Sequence, residues 1–388
     1  MRTSSRIAVG VSALLLIALY FLPLWRIDLH APQYPEGLGL RIRVDQITGQ
    51  KPNDLNSING LRADRVTIRG LTLRNVGPSY TEDRAGLRLE GVRGCTISDN
   101  RLEGTFFGIY AARSSGCTIS GNVIAGHAAV QMAAGNAIHL FYSDGFAVTG
   151  NRISGHRDGI YLEFSPGARI AGNESHANLR YGLHFMYSDS CTYRDNAFKR
   201  NGAGVAVMYS RAITMAGNRF VESRGAAAYG LLLKEIKDAQ VEGNRFEGNR
   251  VGLWVEGSDR IAVRGNEFVE NGWAARLMAD ATGNTYLRNR FEGNSFDVAT
   301  NSAGTSPGRF TENYWDRYTG YDLDRDGYGD VPHRPVRLFA ILVEQHEPTL
   351  ILLRSFFVDL LDVAERIAPV LTPAALRDER PLMRWAAS

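Results

Sequence analysis

The stretch "CTISDNRLEGTFFGIYAARSSGCTISGN", residues 95–122, contains one short phrase twice, and the two copies end at asparagines 22 residues apart. Equivalent asparagines recur along most of the chain, at Asn75, Asn100, Asn122, Asn151, Asn173, Asn196, Asn218, Asn244, Asn266, Asn289 and Asn313. Six of the ten gaps between them are 22 or 23 residues. A period of this length, with Gly-Asn turns and short alternating strands, indicates a solenoid, because one coil cannot bury its apolar side alone.

The repeat therefore predicts an all-β fold, a right-handed parallel β-helix of the pectin-lyase-like type over residues 61–315, with about ten coils of roughly 22 residues. Asparagine suits the turns because its side chain satisfies nearby backbone groups and it tolerates the left-handed conformation. Stacked asparagines can also form a ladder of hydrogen bonds along the coils. A leucine-rich repeat has a similar period, but its regular leucine consensus is absent from this sequence.

The chain begins with a segment typical of export. A basic flank, "MRTSSR", precedes 19 uncharged residues from Ile7 to Trp25. This pattern over residues 1–26 places the body of the protein in the periplasm. An uncleaved anchor in the inner membrane is favoured over a cleaved signal or a buried core helix, because the run is long enough to span a bilayer. Residues 27–60 form a linker-like lead-in.

The whole chain is nearly neutral, with 44 basic and 41 acidic residues and a net charge of +3. It has no basic arm or stripe that would indicate a nucleic-acid partner.

Alignment of the second strand of successive coils predicts which side chains face outward. The first and third columns of "IHLFY", "LHFMY" and "VAVMY" are apolar, so by strand alternation they point inward. The second and fourth columns are mixed and point outward. They contain His139, Glu163, His184, Met186 and Met208. Neighbouring strands lie about 4.8 Å apart, which allows these side chains to converge on one ion.

Two interpretations of this face remain open from the residues alone. Histidine with two methionines suits copper, particularly Cu(I), because thioethers are soft ligands. Alternatively, methionine beside Phe141, Tyr187 and Tyr209 forms an apolar surface for docking another protein, which the spacing alone favours. Met215 provides a comparison, because it occupies an inward column and should be buried.

The three cysteines, Cys95, Cys117 and Cys191, share one apolar column. Buried thiols are the favoured interpretation, and a disulfide between Cys95 and Cys117 in adjacent coils is the alternative.

After the last coil, residues 316–336 form an aspartate-rich capping loop. Its alternating carboxylates, at Asp322, Asp324, Asp326 and Asp330 around Gly327, resemble the first half of an EF-hand calcium loop. The glutamate of the twelfth position is missing, and His333 stands there instead. A calcium site and a polar turn without metal are both consistent with this pattern.

Residues 337–388 lose the strand period and have helical spacing of apolar side chains. This C-terminal helical extension either packs back on the rod or lies on a membrane protein.

Parallel β-helices are also common among polysaccharide lyases and epimerases. His156 and Asp158 in "GHRDG" could form an acid–base pair for such chemistry. The simpler interpretation is that they are turn residues between coils, and the sequence contains no motif that is specific for sugar chemistry.

Taken together, the phrases "GNAIHLFYSDGFAVTGNRISGHRDGIYLEFSP", "NLRYGLHFMYSDS" and "NYWDRYTGYDLDRDGYGD" resemble the NosD family. The resemblance implies a periplasmic β-helix protein that is not an enzyme. It implies an ABC transporter partner, built from the membrane subunit NosY and the ATPase NosF. It further implies the copper chaperone NosL and nitrous oxide reductase NosZ as partners. The expected role is maturation of copper sites, with copper bound transiently on the outer face and the C-terminal extension docking on NosY.

The chain departs from the family pattern before "VTIRGLTL", where family members usually have further coils. We therefore expect an open sheet edge near Val66. Two alternatives to the copper role are a lyase or epimerase acting on polysaccharide, and an adaptor that docks its partners without binding metal.

Overall fold

The computed structural model describes residues 65–77, 83–223, 225, 228–301, 308–367 and 376–385, together with the backbone of 25–31, 34–42 and 47–49. Two compact units are present, Met1–Ala63 and Asp64–Ser388. The membrane anchor predicted for residues 1–26 lies outside the described residues as far as residue 24. None of the helices in the described ranges has both the length and the apolar character of a membrane span.

The first unit contains a small antiparallel sheet. Its three strands, Trp25–Ala31, Tyr34–Ile42 and Ile47–Gly49, pair in chain order. Trp25 is opposite Ile42 in the first pairing. The lead-in that the sequence indicated to be linker-like thus has regular strands between residues 27 and 49.

The second unit is the right-handed parallel β-helix that the repeat predicts. Each full coil contributes one strand to each of three parallel sheets. The first sheet has eleven strands: Thr67–Arg69, Thr96–Ser98, Thr118–Ser120, Ala147–Thr149, Arg169–Ala171, Thr192–Arg194, Thr214–Ala216, Lys237–Glu242, Asp259–Arg264, Thr285–Leu287 and Arg309–Thr311. The second sheet also has eleven: Thr72–Val76, Arg101–Thr105, Val123–Ala125, Arg152–Ser154, Glu174–His176, Ala197–Lys199, Arg219–Val221, Arg245–Glu247, Glu267–Val269, Arg290–Glu292 and Tyr314–Trp315. The third sheet has ten: Ala85–Glu90, Phe107–Ala112, Ile138–Phe141, Asp158–Glu163, Tyr181–Met186, Ala203–Met208, Tyr229–Lys234, Val251–Glu256, Trp273–Leu277 and Phe296–Thr300.

The turn between the first two sheets explains the Asn repeat. The residue before each asparagine of the series from Asn100 to Asn313 has a left-handed backbone, with φ of 55° at Asp99 and 63° at Gly121; Asn75 differs, because it is itself left-handed with φ of 58°. Glycine and short polar residues adopt this conformation at low cost. The side-chain amide of Asn122 then donates to Oδ1 of Asn151 at 2.9 Å and to the carbonyl of Ile97 at 3.0 Å. The buried polar groups of each turn are thus satisfied by the preceding and the following coil.

Apolar columns fill the interior of the rod. Phe220, Phe246, Phe268 and Phe291 stack in successive coils with ring centroids 4.7–5.0 Å apart. Met215 is fully buried, as its column predicts.

The cysteines divide between two states. Cys95 and Cys117 form a disulfide between adjacent coils, so the preference for thiols is wrong for this pair. Cys191 is a free buried thiol, and burial raises its pKa to about 12.

The C-terminal extension is helical and packs on the outside of the third sheet. It comprises helix α1 (Leu338–Gln345), a 3-10 helix (Glu347–Leu352) and helix α2 (Phe356–Ile367). Phe339 of α1 lies against Phe296 of the sheet, with ring centroids 5.9 Å apart. Glu344 forms an ion pair with Arg276 of the sheet. Of the two placements left open by the sequence, packing on the rod is therefore observed for this side of the extension.

The other side of the extension is strongly apolar and exposed. Ile351 is 89% exposed and Phe356 is 79% exposed, and Leu360 and Val363 lie on the same segment.

The tail after the helices closes the ladder. Oδ2 of the buried Asp378 accepts hydrogen bonds from the backbone N–H and the side-chain amide of Asn313, both at 2.9 Å. It also accepts from the indole N–H of Trp315 at 3.1 Å. Asp378 therefore takes the place that the next ladder asparagine would occupy, and the tail acts as the terminal cap that a solenoid requires.

Candidate metal site

Five outward side chains of the third sheet form the histidine–methionine face: His139, Glu163, His184, Met186 and Met208. Within the sheet, Met186 is in register with Glu163 on one side and Met208 on the other. His184 precedes Met186 by two residues on the same strand, so both side chains point to the same face. His139 lies two strands from His184, with Tyr161 between them.

The two imidazoles point outward as predicted, but they are not exposed. Only 8% of the surface of His139 and 4% of that of His184 are exposed to solvent. Aromatic rings cover them: Tyr161 lies between the two with its centroid 4.7 Å from each, and Tyr110 and Tyr181 pack beside them. Burial lowers the pKa of His139 to about 3 and also lowers that of His184. Both rings are therefore neutral near pH 7, the form that binds metal ions.

His184 is oriented by a buried carboxylate. Its Nδ1 lies 3.5 Å from Oδ2 of Asp158, which is fully buried. This distance is long for a hydrogen bond, so the carboxylate orients the ring mainly through its charge. Among the described residues, Nε2 of His184 has no hydrogen-bond partner. A carboxylate facing one imidazole nitrogen favours the proton there and leaves the lone pair of the other nitrogen for a ligand.

Arg180 keeps the Asp158 carboxylate ionised. Its Nε donates to Oδ1 at 2.8 Å and its Nη2 contacts Oδ2. Burial by itself would raise the pKa of Asp158, but the hydrogen bonds from Arg180 and the nearby His184 imidazole lower it to about 2. The backbone N–H of Tyr181 adds a 3.3 Å contact. Asp158 thus contributes a fixed negative charge beneath His184.

The two thioethers lie on neighbouring strands and are partly buried. The hydroxyl of Tyr161 donates to Sδ of Met186 at 3.4 Å. Met208 packs against the apolar cluster formed with the C-terminal helices. On its far side, Lys234 is in register with Met208 and is paired with Glu256 at 2.9 Å. The face therefore offers soft sulfur ligands that are bounded by a neutralised ion pair.

A row of stacked rings borders the face. Tyr142, Phe164, Tyr187 and Tyr209 follow the four strands directly, all with left-handed φ of 47–53°. Their centroids are 4.7, 5.0 and 5.1 Å apart and the rings are nearly parallel. Tyr142, Tyr187 and Tyr209 remain 39–53% exposed. We call these four residues the aromatic ribbon. It supports the docking interpretation of this region.

The acid–base pair considered from "GHRDG" does not form. His156 contacts Thr105 Oγ1 at 3.3 Å and the carbonyl of Ser154 at 3.0 Å, whereas Asp158 faces Arg180 and His184. His156 lies in the bend before the strand that begins at Asp158, so strand geometry does not bring the two side chains together. Sequence reasoning missed the link between Asp158 and His184, although the 22-residue repeat that pairs Asp158 with Arg180 was a usable signal.

The aspartate loop brings together three of its four predicted carboxylates. Ligand oxygens of Asp322, Asp324 and Asp326 lie within 4.8 Å of one another. The carboxylate of Asp330 instead accepts from the backbone N–H of Leu323 at 2.7 Å. Asp326 also pairs with Arg380 at 2.9 Å. Calcium binding at this loop stays a prediction.

Comparison with known proteins adds independent findings. A family model described as "Periplasmic copper-binding protein (NosD)" matches residues 124–322. A "Probable ABC transporter binding protein NosD" of Pseudomonas aeruginosa is 32% identical over 86% of this chain and 81% of its own length. The protein of the same name from Stutzerimonas stutzeri is 30% identical, over 84% and 78%.

Among solved structures, the A-module of the Azotobacter vinelandii mannuronan C-5 epimerase AlgE4 superposes with a TM-score of 0.51. It covers 67% of this chain and 81% of its own, at 13% identity. At this identity the likeness shows the shared β-helix fold alone.

Proposed function

Because the chain belongs to the NosD family of periplasmic copper-binding proteins, we propose that it binds copper transiently in the periplasm as the partner of an ABC transporter. Copper is cargo in this proposal, and the protein performs no bond chemistry on it. The finer role is maturation of the copper sites of nitrous oxide reductase, NosZ, with copper received from the chaperone NosL.

The observation that carries the proposal is the unpartnered Nε2 of His184 on a sheet face that also carries the thioethers of Met186 and Met208. A buried polar atom without a hydrogen bond costs about 1–3 kcal/mol unless another partner takes its place. One imidazole with Met186 and Met208 is a soft ligand set that suits Cu(I). The sulfurs are reachable from the surface, since Met186 and Met208 are only partly buried.

Asp158 orients the His184 imidazole, and Arg180 neutralises the Asp158 carboxylate. The buried carboxylate fixes the His184 ring and makes its free nitrogen a better donor. Arg180 balances the carboxylate charge while the site is empty of cargo. When Cu(I) binds at Nε2, its positive charge is attracted by Asp158 through the ring.

The surfaces around the site support the proposed partners. We assign the aromatic ribbon to docking of the chaperone or the reductase, because it borders the sulfur ligands and presents apolar ring edges to solvent. We assign the exposed side of the C-terminal extension, including Ile351 and Phe356, to the membrane subunit NosY of the transporter.

A metal-free adaptor is the second candidate function, and the aromatic ribbon is the observation that favours it. Docking through this surface would need no metal ligand, and Met186 and Met208 would then serve as apolar contacts. The carbohydrate-enzyme alternative has lost the residue pair on which it rested, since His156 and Asp158 do not meet.

The test is anaerobic Cu(I) titration of the full chain against a competing chelator. The variant is the double substitution Met186→Leu, Met208→Leu, which conserves volume and removes both sulfurs. Met215→Leu is the matched control, because this methionine is fully buried in the core. We expect stoichiometric binding that the double variant loses and the control retains.

Failure of the parent protein to compete for Cu(I) would refute the copper role. Chaperone binding that persists unchanged in the double variant would then establish the adaptor.

A further inference from the structure

We propose that the histidine–methionine face contains a second, separate metal site at His139 and Glu163, which takes a divalent borderline ion such as Cu(II). The proposal extends the copper function argued above, but its ligands and its test are distinct from those of the thioether site.

The first observation is a buried, unpartnered nitrogen. Nε2 of His139 has no hydrogen bond within the described part of the chain, although the residue is only 8% exposed. The ring is held by Tyr110, Phe107 and Tyr161, with centroids 4.7–5.5 Å away. This packing fixes the direction in which Nε2 of His139 points, so the absence of a hydrogen-bond partner follows from the fold.

The second observation is the position of a carboxylate opposite that nitrogen. Oε2 of Glu163 lies 4.0 Å from Nε2 of His139. This separation is too long for a hydrogen bond. Bonds of about 2.0–2.1 Å place two donors roughly 3.4 Å apart at the tetrahedral angle and about 4.1 Å apart when they lie on opposite sides of the ion. The observed separation therefore fits two opposite ligands of a square-planar ion such as Cu(II). The Glu163 side chain is 28% exposed, so water or a partner's ligand can complete the coordination.

The third observation is that an aromatic side chain separates the two sites. The Tyr161 ring stands between His139 and His184, which are two strands apart. Two strand spacings amount to about 10 Å, which one ion cannot bridge. The sites nevertheless adjoin, because Glu163 is in register with Met186 and Tyr161 donates to the Met186 sulfur.

The ligand types set different preferences. Imidazole with carboxylate suits Cu(II) and Zn(II), whereas imidazole with thioethers suits Cu(I). The face would therefore discriminate between ions by position, with borderline ions at one end and soft ions at the other.

The Asn136 side chain faces Nδ1 of His139 and therefore influences which ring nitrogen carries the proton. Its Nδ2 lies 3.5 Å from Nδ1 of His139, and its Oδ1 accepts from Arg157 at 3.3 Å. Metal binding at Nε2 moves the proton to Nδ1, which then needs an acceptor. The Asn136 amide must turn its oxygen toward the ring, at the expense of the Arg157 bond. Asn136→Asp offers an oxygen to both groups, so this variant should bind the divalent ion about 10-fold more tightly.

The experiment is Cu(II) titration of the full chain, followed by electron paramagnetic resonance, with excess calcium to occupy the aspartate loop. The variants are His139→Phe, which fits the aromatic surroundings, and the isosteric Glu163→Gln. We expect one bound ion with hyperfine coupling to imidazole nitrogen. That signal should disappear in His139→Phe, weaken at least 10-fold in Glu163→Gln and persist in the Met186→Leu, Met208→Leu double variant.

Two results would overturn the second site: no nitrogen-coupled Cu(II) in the parent protein, or coupling that survives both His139→Phe and Glu163→Gln. Thermal unfolding of each variant checks that the rod is intact. Failure of the thioether site would show separately, as lost Cu(I) competition with the Cu(II) signal retained.

Discussion

Substitution of Asp378 by alanine should open the last coil of the rod. In the native protein, three buried donors converge on one oxygen of this residue: two from Asn313 and the indole N–H of Trp315. Asp378 itself is fully buried, so water does not replace it without rearrangement. The tail residues 376–385 are tied to the rod at this point by bridges from Asp378 to Phe310 and His333.

The magnitude follows from those donors. Each buried N–H left without an acceptor costs about 1–3 kcal/mol, so three should cost about 3–9 kcal/mol, less whatever entering water recovers. Asp378→Asn is the matched control, because it keeps an oxygen in place and is the residue type of the ladder. Its cost should be about 1 kcal/mol, arising from the amide placed near the backbone N–H of Arg380.

Hydrogen exchange of the full chain is the appropriate assay, because a solenoid opens from its ends and global unfolding averages the effect. Amides of the last coil, around Arg309–Thr311 and Tyr314, should lose protection by about 100-fold or more in the alanine variant. Amides near Ile138 should be unaffected in both variants. Equal protection in the alanine and asparagine variants would refute the view that Asp378 closes the ladder.

Three further predictions concern charge and metal. Asp158→Asn should weaken Cu(I) binding about 10-fold or more in the chelator competition, because His184 loses the charge that orients it; unchanged affinity would contradict the assigned role. Burial lowers the pKa of His156 and His333 to about 4 in the folded state, so the unfolded chain binds more protons between about pH 6.5 and 4. The free energy of unfolding should therefore fall across that window by up to about 1.4 kcal/mol per pH unit for each group, and urea titrations of His156→Gln should show a shallower fall. Calcium should raise the thermal unfolding temperature of the parent protein but not of Asp324→Asn, and an equal rise in both would exclude the aspartate loop as the site.

The parallel β-helix could be predicted from the sequence because its strongest signals are periodic and local. The left-handed turn residue before the ladder asparagines is mostly glycine or aspartate, so "GN" and "DN" recur at the coil spacing, although Arg288 and Glu312 also adopt this conformation. Strand alternation likewise places Ile138 and Leu140 inside and His139 outside. The direction of every residue of the histidine–methionine face follows from this alternation alone.

Whether the side chains of that face are buried depends on tertiary contacts, and these contacts do not follow the repeat. His139 and His184 point away from the core, yet rings from several coils cover them, and α1 and α2 cover the strands beyond. Proximity in the chain suggests a pairing of Asp158 with His156. In the fold His156 contacts Thr105 and the Ser154 carbonyl, and Asp158 meets Arg180 and His184 from the next coil instead.

The end of the rod likewise combines a residue that follows the repeat with a partner that does not. Asn313 is recognisable as the last ladder residue from its spacing, but its partner, Asp378, lies 65 residues later and belongs to no repeat. A repeat determines contacts between neighbouring coils, because each coil presents the same groups to the next. The cap, the covered imidazoles and the buried carboxylate beneath His184 involve different groups meeting once, and only the folded chain decides which ones meet.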